Sequence, residues 1–127
     1  MRLEWQKLPV AFDLPEIKCR FEDLGDMSVE VSEVAKTFDP APMFKGLRDD
    51  RCQCPHWGYV IRGNVRFRFA DREEVYKAGE LYYVEPGHTP VFEAGALFLE
   101  YSPKDKIKET LKVVERNMVA QKLAKAA

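Results

Sequence analysis

The first third of the chain contains two short segments in which apolar and polar residues alternate. The segments are IKCRF at 17–21 and SVEVSEV at 28–34, and the dipeptide Gly25-Asp26 between them suits a turn. Alternation with a period of two is typical of a β-strand that buries one face, so two strands are predicted here. The next segment, FDPAPMFKGLRDDR at 38–51, contains two prolines and a glycine, which predict an irregular arm.

The middle of the chain carries the clearest strand pattern. The segment HWGYVI at 56–61 is followed by VRFRFA at 65–70. In the second segment the apolar residues share one face of an extended chain: Val65, Phe67 and Phe69. The dipeptide Gly63-Asn64 between the segments can adopt positive φ angles, which predicts a two-residue hairpin turn.

Turn residues divide the segment 75–102 into several short apolar runs. The dividing positions are Gly79, Pro86-Gly87 and Gly95. Short strands separated by turns about every eight to twelve residues are typical of an all-β sandwich or barrel. An all-β fold is therefore predicted for most of the chain.

The C-terminal segment changes to a helical pattern over about 103–125. Ser102 is placed to cap the helix, with Pro103 at its first position. Lysines fall in the last turns, where they complement the helix dipole. An apolar stripe follows at helical spacing: Ile107, Leu111, Val114 and Met118. We expect this stripe to pack on the outside of the β domain or on a partner subunit.

Composition and charge narrow the range of functions. The chain has 127 residues, 46% hydrophobic and 32% charged, which suits one globular domain. A net charge of −1 with interspersed signs predicts neither a nucleic-acid partner nor binding to an anionic membrane. No apolar run approaches the ~20 residues that span a bilayer, and no signal region is expected at the N-terminus. An odd number of cysteines, Cys19, Cys52 and Cys54, predicts a reducing compartment, the cytoplasm.

The stretch CQCPHWG and a later histidine carry the candidate chemistry. On an extended segment Cys52, Cys54 and His56 share one parity, with Asp50 before them, so all four side chains can face the same way. His88 lies about thirty residues on, where a later strand can return beside the first. Two imidazoles and a thiolate form an open three-ligand site that suits a divalent transition metal: zinc, iron, nickel, copper or manganese.

Other interpretations of these residues stay open. A redox dithiol normally has two residues between its cysteines, whereas only Gln53 separates Cys52 from Cys54. A closed structural zinc site needs four ligands in spaced pairs, and the whole chain has three Cys and two His. The cysteines can also be small core residues and the histidines satisfied polar groups, with no metal involved.

The sequence indicates no other catalytic arrangement. No paired-carboxylate acid–base site, Ser–His–Asp arrangement or phosphate-binding loop is predicted. Trp57 and Tyr59 alternate with His56, so we expect them to point away from it and to pack between sheets or subunits. Tyr83 is a further candidate for a pocket or an interface.

Two segments resemble the two motifs of the cupin superfamily: HWGYVIRGNVRF at 56–67 and AGELYYVEPGHTPVFEAG at 78–95. The resemblance implies a double-stranded β-helix (jelly-roll) barrel, commonly dimeric, with a ligand pocket inside. It implies one cupin domain over 1–127, with an N-terminal arm and strands at 1–27, the barrel core at about 28–102 and the additional C-terminal α-helix at about 103–125.

The resemblance also implies ligands by position. The first motif has its third ligand seven residues before the turn glycine, which gives His56, and the two upstream ligands correspond to Cys52 and Asp50. The histidine of the second motif corresponds to Pro90, and His88 lies two residues earlier with the same parity. The implied metal ligands are His56, His88 and Cys52, and further candidates are Asp50 and Cys54.

The function implied by the resemblance is binding of a small molecule in the barrel together with a divalent metal. In an enzyme this metal would act as a Lewis acid, or activate dioxygen if it is iron, but the sequence assigns no reaction. Two alternatives are a metal-free module that binds or senses a small ligand, and a structural dimer with a vestigial pocket. Exposed strand edges that need covering also favour a homodimer.

Overall fold

Residues 1–126 are described by the computed structural model, and within them the chain forms nine β-strands and one long helix. Short 3-10 turns lie at Trp5–Lys7, Ala41–Phe44 and Arg48–Asp50. The strands are β1 Val10–Asp13, β2 Ile17–Leu24, β3 Met27–Val34, β4 His56–Arg62, β5 Asn64–Arg68, β6 Glu73–Lys77, β7 Leu81–Val84, β8 Thr89–Phe92 and β9 Leu97–Pro103, and the helix is α1 Lys104–Ala126.

The strands form two antiparallel sheets. The larger sheet has the strand order β1-β2-β3-β9-β4-β7, and the smaller has the order β6-β5-β8. Buried residues from both sheets form the main core: Val60, Val65, Phe67, Val84 and Phe98 are among them. The predicted all-β jelly-roll barrel with a C-terminal α-helix is confirmed.

The strands predicted at 17–21 and 28–34 are confirmed as β2 and β3, but β3 buries both of its faces. Val29 and Val31 pack on the outer side against Leu8, which belongs to the N-terminal segment. Glu30 borders an internal cavity, and Ser32, which has the same parity, has no exposed surface. The polar face of this strand therefore points into the barrel, while an added layer of chain covers its apolar face.

The turn at Gly63 does not join two paired strands. β4 pairs with β7 and β9, whereas β5 pairs with β6 and β8 in the other sheet. Gly63 has a φ angle of +75°, and an added Cβ would lie 2.9 Å from the Cα of Ala96. The predicted hairpin is therefore wrong: the same backbone freedom lets the chain turn a corner between sheets, at a point where no side chain fits.

The helix α1 covers the internal cavity. Ile107 and Leu111 of the predicted apolar stripe line the cavity, as do Val114 and Met118. Asn117 Nδ2 donates hydrogen bonds to the backbone carbonyls of Met43 and Lys45 in the irregular arm, at 2.6 and 2.8 Å. Arm and helix together close this side of the barrel. No helix within residues 1–126 has the length and apolar character that a membrane crossing requires.

The start of α1 differs from the prediction. Ser102 and Pro103 belong to β9, and the helix begins at Lys104. The Oγ of Ser102 lies 2.7 Å from His56 Nδ1. The predicted N-cap role of Ser102 is wrong because pairing with β3 keeps this residue in the sheet, with its hydroxyl directed to the imidazole.

We predict that Gly58→Ala destabilises the protein. Gly58 on β4 and Tyr82 on β7 are cross-strand partners, and an added Cβ would overlap the phenol ring. Displacing a buried ring in this way should lower the free energy of unfolding by about 2 kcal/mol, measured by chemical denaturation. In a Tyr82→Leu background the ring is absent, and the same glycine substitution should cost less than about 1 kcal/mol. Equal costs in the two backgrounds would contradict this account.

Candidate metal centre

Backbone pairing joins the segment at Cys52 to the segment at His88. The Cys52 N–H donates to the carbonyl of His88 at 2.8 Å, and the Gly87 N–H donates to the carbonyl of Cys52 at 2.8 Å. Gly87 has a φ angle of +95°, a conformation that glycine adopts without strain. His56 begins β4 and is paired with Val84 at the end of β7, shortly before this turn. Local backbone geometry therefore brings one thiol and two imidazoles to one place.

The donor atoms of Cys52, His56 and His88 all lie within 4.8 Å of one another. Cys52 Sγ and His56 Nε2 are 3.8 Å apart. In a tetrahedral zinc site, bonds of about 2.3 Å to sulfur and about 2.0 Å to nitrogen place two such donors roughly 3.5 Å apart. The three side chains are buried, with exposed fractions of 2%, 5% and 0%. Their type and spacing fit one shared metal ion after small side-chain movements.

His88 has one satisfied imidazole nitrogen and one unsatisfied nitrogen. Its Nδ1 lies 2.7 Å from the carbonyl oxygen of Glu85, and because a carbonyl only accepts, Nδ1 carries the proton and donates. In the neutral ring Nε2 is then an acceptor, and it is buried without a hydrogen-bond partner among the described residues. An unsatisfied buried polar atom costs about 1–3 kcal/mol. A metal ion in the cluster would use this lone pair.

Hydroxyl groups contact the other two members of the cluster. Ser102 Oγ lies 2.7 Å from His56 Nδ1, and Thr110 Oγ1 on α1 lies 3.5 Å from Cys52 Sγ. A partner on Nδ1 leaves Nε2 of His56 to face Cys52, as outer partners of metal-binding imidazoles commonly do. Neither Ser102 nor Thr110 was predicted as a site residue, since only the strand pairing and the docked helix bring them here.

Burial favours the uncharged form of each side chain in the cluster. It lowers the pKa of His56 to about 4 and is the main reason why the pKa of His88 falls to about 3, with the nearby His56 as a second cause. Burial raises the pKa of the Cys52 thiol to about 11. Both imidazoles can therefore bind a metal at neutral pH, whereas Cys52 would have to release its proton to bind as a thiolate.

Asp50 and Cys54 lie outside this cluster. Asp50 is exposed, and its Oδ1 accepts a hydrogen bond from the Gly46 N–H at 3.0 Å. Cys54 is buried, but its thiol donates to the carbonyl of Pro55 at 3.4 Å. Residues 53–55 are not in a regular strand, so the parity that grouped these side chains in the sequence does not hold through this stretch.

The cluster borders an internal cavity of about 160 Å³. Its walls are mainly aromatic and aliphatic, and they include Phe12, Phe38, Phe92 and Phe98. An apolar cavity of about 150 Å³ holds a benzene molecule, so this space suits a ligand of similar size. No lysine or arginine of the described residues lines the cavity.

The aromatic residues close to the cluster in sequence do not line the cavity. Trp57, Tyr59 and Tyr83 lie on the outer face of the large sheet, with exposed fractions of 46%, 38% and 52%. The prediction that Trp57 and Tyr59 point away from His56 is confirmed. These residues form a surface that is available for contacts with another molecule.

Two carboxyl groups lie side by side on the cavity wall. Glu30 on β3 and Glu100 on β9 are cross-strand partners, and both line the cavity. Ser32 Oγ donates to Glu30 Oε2 at 2.6 Å, and the Tyr82 hydroxyl donates to Glu100 Oε1 at 2.8 Å. Glu100 Oε2 lies 3.9 Å from His56 Nδ1, so the pair adjoins the metal-ligand cluster. The sequence did not predict this pair of carboxyl groups, and the expectation of no paired-carboxylate acid–base site stays a prediction.

Burial raises the pKa of both carboxyl groups. For Glu30 burial is the larger cause and the charge of Glu100 adds to it, while burial raises the pKa of Glu100. The sequence offered only a weak signal, because Glu30 occupies a polar position of an alternating strand, and such positions ordinarily face solvent. Only the pairing of β3 with β9 sets it against Glu100.

Comparison with known proteins gives matches in structure alone. No protein-family model matches the sequence, and no curated protein matches it. A protein of unknown function from Rhizobium leguminosarum bv. viciae 3841 is 14% identical with a TM-score of 0.57, over 80% of this chain and 94% of that chain. An RmlC-like cupin from Shewanella frigidimarina NCIMB 400 is 14% identical with a TM-score of 0.54, over 77% of this chain and 86% of that chain. An oxalate decarboxylase from B. subtilis is 15% identical with a TM-score of 0.55, over 80% of this chain and 28% of that chain.

Identities this low establish a shared fold and leave the activity to be argued from the site. The neighbours include an RmlC-like cupin, in agreement with the two motifs that resemble those of the cupin superfamily. These neighbours share the fold that the two motifs imply, a jelly-roll barrel of the kind seen in an RmlC-like cupin.

Proposed function

We propose that this chain binds a divalent transition metal through Cys52, His56 and His88, and a small molecule in the adjoining cavity. The observation that carries the proposal is the buried, unpartnered Nε2 of His88, which lies within 4.8 Å of a thiol and a second imidazole. A thiolate with two imidazoles suits zinc, iron, nickel or copper better than manganese. When bound, the ion would act as a Lewis acid on a ligand atom in the cavity.

The protein's own groups have distinct roles in this proposal. The carbonyl of Glu85 fixes the His88 tautomer that leaves Nε2 free, and Ser102 orients the ring of His56. The apolar walls limit the water in the cavity and favour a ligand with an apolar body. Three protein ligands leave further coordination positions for water or for the small molecule.

A metal-free module that binds or senses a small ligand is the second candidate. The cavity of about 160 Å³ favours it, because most of its walls are apolar and do not depend on an ion. A structural dimer with a vestigial pocket is the third candidate. Metal content and ligand binding, measured on the same preparation, distinguish the three candidates. Metal with ligand binding favours the first, ligand binding without metal the second, and neither the third.

We also propose that two copies of the chain associate through the outer face of the large sheet beside β7. Exposed apolar side chains occupy neighbouring strands there: Trp57, Tyr59, Ile61, Leu81, Tyr83 and Tyr101. The rings of Trp57 and Tyr83 are 5.3 Å apart between centroids. β7 is an edge strand, and an exposed aromatic patch beside an open strand edge favours association.

A cytoplasmic location is part of the proposal. It is supported by Cys19, Cys52 and Cys54, which are free thiols in the described part of the chain. We propose a small molecule and a second copy of the chain as the partners. A net charge of −1 favours neither nucleic acid nor an anionic membrane as a partner.

We predict that the purified protein binds one equivalent of a divalent transition metal per chain. Cys52→Ser and His88→Ala each remove a ligand and should weaken metal binding by about 100-fold or more. Elemental analysis gives the stoichiometry, and cobalt absorption spectra report a thiolate ligand. The matched control is Cys54→Ser, which removes a buried thiol outside the cluster and should bind metal like the wild type. The proposal would be contradicted if Cys54→Ser lost as much metal affinity as the ligand variants. It would also be contradicted by a wild-type protein that binds none of zinc, iron, nickel, copper and manganese.

Leu81→Glu should convert the dimer to a monomer. Leu81 is 82% exposed, so a charge there leaves the folded chain intact but lies within the proposed interface. Light scattering after gel filtration measures the mass. The control Val75→Glu places the same charge on the other sheet, at a residue that is 42% exposed, and should remain dimeric. A wild-type monomer, or a dimer that persists in Leu81→Glu, would rule out this interface.

A further inference from the structure

Among the described residues the Glu30–Glu100 pair has no lysine or arginine partner. Buried carboxylates are ordinarily paired with lysine or arginine. Within the described residues neither glutamate forms an ion pair with a lysine or an arginine, and neither residue type lines the cavity. The described part of the chain therefore places two neighbouring acids in a buried space with no lysine or arginine beside them.

Each carboxyl group of the pair has one oxygen with a hydrogen-bond donor and one without. Ser32 donates to Glu30 Oε2, and Tyr82 donates to Glu100 Oε1. In the described part of the chain no group donates a hydrogen bond to Glu30 Oε1 or to Glu100 Oε2, whose neighbour His56 is 3.9 Å away. Since both glutamates line the cavity, these oxygens are available to a donor on a bound molecule.

A third unpartnered acceptor belongs to another residue that lines the cavity. The Nε2 of His88 belongs to a residue with no exposed surface and has no partner within residues 1–126. The proposed function assigns Nε2 of His88 to the metal, so the polar atoms left for a ligand are Glu30 Oε1 and Glu100 Oε2, which accept hydrogen bonds when the carboxyl groups are ionised. The remaining wall is largely apolar, as shown by Phe38, Phe92 and Phe98. A complementary ligand has an apolar body and a group that is positively charged and donates hydrogen bonds.

We infer that the cavity selects a small, ring-sized apolar molecule that carries a protonated amine, and that the Glu30–Glu100 pair binds the amine. The inference rests on the proposed function, because it names the ligand class of the same cavity. The amine supplies the positive charge that the protein does not place beside these acids, and its N–H groups match the free carboxyl oxygens. The volume of about 160 Å³ limits the body to roughly one ring.

Calorimetric titration with three probes of one shape tests the inference. Benzylamine, benzyl alcohol and benzoate share a ring and a similar length, and at neutral pH they carry a positive, a zero and a negative charge. We expect benzylamine to bind at least about tenfold more tightly than the other two. Glu30→Gln keeps the shape of the side chain. It should lower the affinity for benzylamine at least about tenfold and leave the affinity for benzyl alcohol unchanged.

The control is Glu33→Gln, on the opposite face of β3, which makes the same substitution outside the cavity and should bind benzylamine like the wild type. Metal-loaded and chelator-treated protein are both titrated, so that coordination of the amine to a metal is separated from binding at the carboxyl pair. The melting temperature and metal content of Glu30→Gln show whether the variant is folded and whether the cluster is intact.

Equal affinities for the three probes, tighter binding of benzoate, equal losses in Glu30→Gln and Glu33→Gln, or no binding of benzylamine would each overturn the inference. Selective binding of benzylamine by a protein that takes up no metal would support the inference and remove the metal from the proposed function. Metal binding without selectivity for benzylamine would overturn the inference about the ligand and support the metal in the proposed function.

Discussion

The hydrogen bond from His88 Nδ1 to the carbonyl of Glu85 determines which imidazole nitrogen of His88 is left without a proton. It fixes the ring in the tautomer whose Nε2 is a bare acceptor, buried beside Cys52 and His56. Water does not reach this atom, and no described residue donates to it, so the folded chain leaves it unsatisfied at a cost of about 1–3 kcal/mol. Binding of an ion by the cluster would offset that cost, which is the physical reason to interpret the three side chains as ligands.

The orientation of β3 explains why one cavity contains both metal-ligand candidates and acids. Val29 and Val31 face outward under the N-terminal segment, and the polar positions of the same strand face inward. Glu30 thereby meets Glu100, which also lies 3.9 Å from His56 Nδ1. The result is an apolar cavity with polar groups at one part of its wall, an arrangement that orients a ligand by a few contacts and binds it by burial of apolar surface.

Sequence patterns were sufficient for the features that depend on local order. Alternation located β2, β3, β4 and β5, and helical spacing located α1, because each pattern has the period of the element that it forms. The candidates Cys52, His56 and His88 were selected by side-chain chemistry and by the motifs, and the structure brings them together; that they bind a metal stays a prediction. The corner at Gly63, the contact of Ser102 with His56 and the Glu30–Glu100 pair were not predictable, because each depends on which distant strands become neighbours.

In the proposed site one sulfur and two imidazole nitrogens share an ion. X-ray absorption spectroscopy of the metal-loaded protein examines that coordination shell directly. The account predicts one sulfur neighbour at about 2.3 Å and two imidazole nitrogens at about 2.0–2.1 Å for zinc, with lighter atoms completing the shell. A shell of oxygen and nitrogen without sulfur, or with fewer than two imidazoles, would contradict it.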